Sequence, residues 1–109
     1  FTTLANTNAT SIVSNAAASN KVLKVTSVIV ANTSDSNTEY VHVSLNDMAA
    51  GGGGNRYIQK NVGIETGTSQ VVVDRASAVY LEENQSLVVQ SNTRANVFDV
   101  IASYEEIED

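Results

Sequence analysis

The chain predicts an all-β fold: a single antiparallel β-sandwich, jelly-roll-like, with about eight strands. Three observations carry that expectation. Short runs rich in Val, Ile and Leu recur at the ~8–12 residue spacing of sandwiches and barrels, separated by clusters of Asn, Ser, Thr and Gly. Several runs alternate apolar and polar residues, as half-buried strands do. No segment holds the 3.6-residue period of an amphipathic helix.

Residues 1–20 read as an N-terminal arm followed by a first short strand, and residues 21–109 as the sandwich body of one domain. Phe1 to Asn8 is polar and weakly patterned, with Phe1 and Leu4 as its large apolar residues. It is expected to order only against a neighbour, because fixing eight residues costs about as much as burying those two gains. Thr10 to Ser14 is the first short strand. Val22 to Ala31 is the strongest strand and is expected at the centre of a sheet. Simple alternation places Leu23, Val25 and Ile29 on one face and Val22, Lys24, Thr26, Val28 and Val30 on the other.

Glu39 to Asn46 alternates cleanly, with Val41, Val43 and Leu45 on one side and Tyr40, His42 and Ser44 on the other. Met48 to Gly54 reads as a mobile hairpin tip, since Gly loses the most freedom on ordering. Tyr57 to Ile64 places Ile58, Val62 and Ile64 inward, with Gly63 as a candidate bulge. Val71 to Val73 is a short buried strand. Ala78 to Leu81 and Ser86 to Gln90 read as a hairpin with an acidic tip at Glu82 and Glu83, and Asn96 to Tyr104 completes the set.

The 109 residues carry a net charge of −6, with a pI near 4.5. Phosphates repel such a surface, and the six Lys and Arg form no patch, so nucleic acid is not an expected partner. No apolar run approaches the ~20 residues of a membrane helix, and no basic-then-apolar leader is read at the start. There is no cysteine, which removes disulfides and thiolate metal sites.

The chemical inventory is thin. His42 is the only histidine, and a lone histidine without cysteine does not build a zinc site. Ser44 shares its strand face, but a triad needs an orienting third group as well. Glu82-Glu83 and Glu105-Glu106 are neighbours on extended chain, so each pair splits between two faces and forms no dyad. Asp35 stands too alone for a calcium loop. Gly51 to Gly54 leads into Asn55-Arg56 and a strand, not into the Lys-Ser/Thr and helix of a phosphate loop. No catalytic, metal or cofactor residue is therefore assigned. Tyr40, Tyr57, Tyr80 and Tyr104 suit either a sugar-stacking platform or a protein interface, and the interface is favoured in the absence of Trp. The candidate interface residues are Phe1, Leu4, Tyr40, His42, Tyr57 and Tyr80.

Three stretches resemble one family. Val22 to Asn32 resembles the early strand of small virion structural proteins of tailed phages, notably those infecting cyanobacteria. Val79 to Leu87 resembles their acidic hairpin, with Asn84-Gln85 where Gly-Asp is expected. Ile101 to Ile107 resembles their closing segment. The resemblance spans Val22 to Ile107. It implies a non-enzymatic structural protein on the surface of a phage particle, with a capsid decoration protein as the leading expectation. A neck, tail or fibre component, or a carbohydrate- or receptor-binding module, is the alternative. The implied partners are the major capsid protein or other virion proteins, together with copies of the chain itself, a trimer being favoured. Apolar residues on both faces of Val28-Ile29-Val30 and Val71-Val72-Val73 agree with assembly, because one sandwich core covers only one face of each strand.

Overall fold

In the computed structural model the described residues are all but Phe1, Ala5, Ser36, Ala50, Gly51, Arg75 to Ser77 and Asp109, along with the side chain of Glu108. Among them are nine strands and no helix: β1 (Thr2–Thr3), β2 (Thr10–Asn15), β3 (Lys21–Asn32), β4 (Glu39–Asn46), β5 (Asn55–Ile64), β6 (Ser69–Val73), β7 (Val79–Leu81), β8 (Gln85–Ser91) and β9 (Phe98–Glu108). They form two antiparallel sheets. The first runs β1-β9-β3-β6, with β7 lying in line with β6 along the same edge of β3; the second runs β2-β8-β4-β5.

The sheets face each other across one core. Val25, Val28, Val30, Leu81, Phe98 and Val100 enter it from the first sheet, and Val13, Val41, Val43, Leu87 and Val89 from the second. All eight strands expected from the sequence are present. β3 is central in its sheet, and Val41, Val43 and Leu45 all reach the core.

Four expectations are corrected. The first concerns β3, where alternation breaks: Val25 and Thr26 are both buried, and the ladder to β9 shifts register between Val25 and Ser27. The bulge reverses the parity, so Val28 and Val30 join Leu23 and Val25 inside while Ile29 turns outward. A similar shift opposite β6 leaves Val73 buried and Val71 exposed, so Val71 to Val73 is only partly a buried strand.

Second, β7 and β8 are not a hairpin. The turn at Glu82 to Asn84 carries the chain from one sheet to the other. Leu81 and Leu87 are both fully buried and enter the core from opposite sheets. Asn84 takes the left-handed conformation this turn needs (φ 59°). Glu105 and Glu106 likewise lie within β9, not at a tip.

Third, Thr2 to Leu4, expected within a loose arm over Phe1 to Asn8, are packed on the domain, while the expected first short strand is present as β2. β1 pairs with β9, β2 pairs with β8, and Leu4 is completely buried. Leu4 N donates to Phe98 O (3.0 Å) and Asn96 N donates to Leu4 O (2.9 Å). Leu4 belongs to the same buried cluster as Val97 and Phe98, so Thr2 to Leu4 order on their own domain. Fourth, β5 breaks register not at Gly63 but twice elsewhere: between the partners of Val41 and Val43, where Asn61 has φ 55°, and between those of Val43 and Ser44. Gly63 instead makes room for Tyr40: a Cβ there would sit 3.0 Å from the ring.

Candidate functional site

The outer face of the second sheet carries most of the residues singled out. On β8, Leu87 and Val89 point into the core, so Ser86, Val88 and Gln90 point away from it. The ladders place Ser14, Ser86, Asn46 and Asn55 in one row across this face, and Ser11, Val88, Ser44 and Tyr57 in the next.

The first row is roofed. Asn46 is fully buried although it faces away from the core. Its Oδ1 accepts from Met48 N and Gly53 N, both at 3.0 Å, and its Nδ2 donates to Gly53 O and to Asn55 Oδ1. Ser86 Oγ donates to Met48 O (2.8 Å) and Ser14 Oγ to Ala49 O (2.9 Å), while Asn84 Oδ1 accepts from Ala49 N. Met48, Ala49 and Gly53, expected within a mobile tip, are thus pinned over the end of the sheet, while Ala50 and Gly51 of that tip lie outside the described residues. Gly53 is needed there, because a Cβ would lie 1.8 Å from Asp47 Oδ1, the oxygen that accepts from Gly54 N. Beside it, Leu45, Asp47, Gly54, Asn55, Arg56 and Gln85 line an open cleft of about 340 Å³.

Beyond the roof the face is open and aromatic. His42 and Tyr57 meet edge to face, with ring centres 5.6 Å apart, and Lys60 Nζ sits 5.1 Å from the Tyr57 ring centre. His42 Nδ1 accepts from Asn61 N (2.9 Å), which ties the β5 bulge to β4. Asn61 Oδ1 in turn accepts from Asn92 Nδ2. Tyr40 stands on the same face, 40% exposed, with Tyr57 at 47%. Ser44 shares the face, but its hydroxyl donates to Asn55 Oδ1, so it and His42 are not aimed at each other.

Tyr40, His42 and Tyr57 are therefore brought together. Tyr80 is not: it lies on the outer face of the first sheet, opposite Lys24, on the far side of the sandwich. Leu4 is core and is withdrawn as an interface residue, while Phe1 lies outside the described residues. Val71 and Ile29, from the two runs read as apolar on both faces, form a cross-strand row with Ile101 on the outer face of the first sheet; sequence reasoning had not said which of their residues face outward. Tyr104, read with the other tyrosines as a platform or interface residue, is exposed on β9, as is Ile107, which sequence reasoning did not single out. Only the bulge in β3 reveals the row, and bulges leave little trace in composition.

At the start of β4 the buried Glu39 pairs with Arg94, whose side chain is half exposed. Glu39 accepts from Arg94 Nε (2.8 Å), from Arg94 Nη2 and from Thr93 Oγ1 (2.7 Å). The Arg94 bond, aided by Thr93, holds the Glu39 carboxyl below the usual carboxylate range against the opposing effect of burial. Among the described residues, no three His, Asp or Glu come together as a metal site. No helix there is long and apolar enough to cross a membrane.

Comparison with family models, with curated proteins and with solved structures finds no match for this chain.

Proposed function

We propose that this is a non-enzymatic structural protein of a phage particle, placed on the outer capsid as a decoration protein that contacts the major capsid protein. The observation that carries the reading is that one sandwich exposes apolar and aromatic side chains on both outer faces. Tyr40 and Tyr57 stand on one side, and Val71, Ile101 and Tyr80 on the other. A protein that bridges neighbours in a lattice needs two contact surfaces; a module that holds one ligand needs one. The resemblance of Val22 to Ile107 to small virion proteins supports the same reading.

So does the winding. If β6 and β7 count as one broken strand, the orders β1-β9-β3-β6/β7 and β2-β8-β4-β5 support a jelly-roll reading of the sandwich. That architecture serves capsid and lectin domains alike, so it supports the class and not the partner. The test is cryo-electron microscopy of the particle, together with binding of the purified protein to undecorated capsids. Density for the sandwich on the head and saturable binding are expected. Density at the neck, tail or fibre would replace the decoration reading with the corresponding one.

The Tyr40–His42–Tyr57 cluster favours a second reading, a carbohydrate- or receptor-binding module, because exposed rings beside polar donors suit sugar stacking. Glycan binding by the isolated domain, lost in Tyr57→Ala, would select it.

A further inference from the structure

One face of this acidic protein carries no acid. The chain has 12 Asp and Glu against six Lys and Arg. Yet none of the described residues that the ladders place on the outer face of the second sheet is acidic. Glu39, on β4, is buried against Arg94, and Asp99, Glu105 and Glu106 lie on β9 in the other sheet. Two packed sheets lie about 10 Å apart, more than the ~8 Å over which physiological salt screens exposed charges. The carboxylates of β9 therefore bear little on this face. The first and last strands, β1 and β9, both belong to that other sheet.

What the face offers is rings and donors. Tyr40 and His42 stand two residues apart on β4, about 7 Å along the strand. Tyr57 faces Ser44, the next outward residue, and its ring centre is 5.6 Å from that of His42. The three rings thus follow one diagonal, longer than a single sugar ring. Lys60 Nζ sits 5.1 Å from the Tyr57 ring centre and pairs with no carboxylate among the described residues. His42 Nδ1 accepts from Asn61 N, and a backbone N–H only donates, so the neutral imidazole carries its proton on Nε2. That N–H and Asn61 Nδ2 have no acceptor among the described residues. Asn61 belongs to β5 and Asn92 follows β8, on opposite sides of β4, so their 2.8 Å bond crosses over the ring-bearing strand and holds the Asn61 carboxamide there.

We infer that this face binds a polyuronate, a linear chain of sugars with a carboxylate on each ring. The inference rests on the sugar-binding reading of Tyr40, His42 and Tyr57, and adds the charge and form of the ligand. The rings take the apolar C–H faces of the sugars. Lys60 carries its ammonium on a flexible stem, which lets it leave the Tyr57 ring for a carboxylate beside it. An ionised acceptor also strengthens the bonds that His42 Nε2–H and Asn61 Nδ2 have to give. A row of rings suits a linear chain better than one terminal sugar. An acidic peptide fits less well. Extended peptides are captured through the free peptide groups of a sheet edge, and β4 is paired with β5 and β8 along both sides.

Titration calorimetry of the whole chain tests it. The probes are short oligomers of galacturonate, mannuronate and glucuronate, with their methyl esters as uncharged controls. At least one acid oligomer is expected to bind about tenfold more tightly than its ester. Its affinity should fall as salt rises. Lys60→Glu should remove the preference for the acid, and Tyr57→Ala should abolish binding of acid and ester alike. Lys24→Glu, on the outer face of the first sheet, should change neither. Both Lys60 and Tyr57 are exposed, so the variants should keep the circular dichroism spectrum and urea midpoint of the unaltered protein. Should Lys60→Glu disturb them, Lys60→Gln removes the charge alone. Esters that bind as tightly as acids overturn the inference and leave the sugar-binding reading standing. Binding of no oligomer overturns both. Binding of a short oligoglutamate in place of the uronates overturns the inference in favour of a protein partner.

Discussion

Gln59 Oε1 is buried without a hydrogen-bond partner among the described residues. Gln59 faces Val43 across the β4–β5 ladder, on the side of the sheet that holds the core. A buried carbonyl oxygen without a donor retains its desolvation cost. Gln59→Met, of similar shape, is therefore expected to stabilise the fold by about 1 kcal/mol. The readout is a higher urea midpoint at unchanged slope, and a lower midpoint would contradict the expectation. Glu39 is the opposite case, a buried charge fully engaged by Arg94 and Thr93. Its carboxyl is held down in the folded protein relative to the unfolded chain. The unfolded chain therefore binds the proton first as pH falls. The contribution is fully present above the unfolded carboxylate value of about 4.3 and is lost below it. Glu39→Gln should show a flatter acid-side stability profile than the unaltered protein between about pH 5 and 2, with the difference closing toward the acid end. Equal slopes would show that the pair contributes nothing.

At the scale of elements, the roof over Ser14, Ser86 and Asn46 depends on one carboxamide. Asn46→Ala removes the acceptor for Met48 N and Gly53 N and is expected to cost about 1–3 kcal/mol in urea denaturation. It should also speed amide exchange at both positions; unchanged exchange would mean that the segment is held by Ser86 and Ser14 alone. Strand existence was legible in the sequence, because alternation and turn residues act locally. What those local signals do not encode is how strands associate. Plain alternation puts Ile29 on the face of Leu23 and Val25, because a single inserted residue at Thr26 reverses parity without altering the apolar count. Leu81 and Leu87 looked like a hairpin since a tight turn within a sheet and one between sheets use the same residues. The aromatic face of the second sheet was legible, as Tyr40 and His42 follow plain alternation on β4. The apolar row on the first sheet was hidden behind two bulges.

At the scale of the molecule, the two sheets share one core to which both ends of the chain contribute, and this decides what the N-terminal segment does. A loose arm would exchange its amide protons freely until a partner ordered it. Here Leu4 N–H is bound to Phe98 O and Asn96 N–H to Leu4 O, with the Leu4 side chain fully buried. The amides of Leu4 and Asn96 should therefore be protected in the isolated protein, well above those of the exposed residues Asn6 to Asn8. Leu4→Ala should cost about 2–5 kcal/mol in equilibrium unfolding, the range for emptying a leucine site in a packed core. Removing residues 1–8 should cost at least as much. It would also bare the peptide edge of β9 that β1 occupies, so the truncated protein should associate more readily while being less stable. Unprotected amides at Leu4 and Asn96, with an unfolding midpoint unmoved by the truncation, would return the segment to the role of an arm.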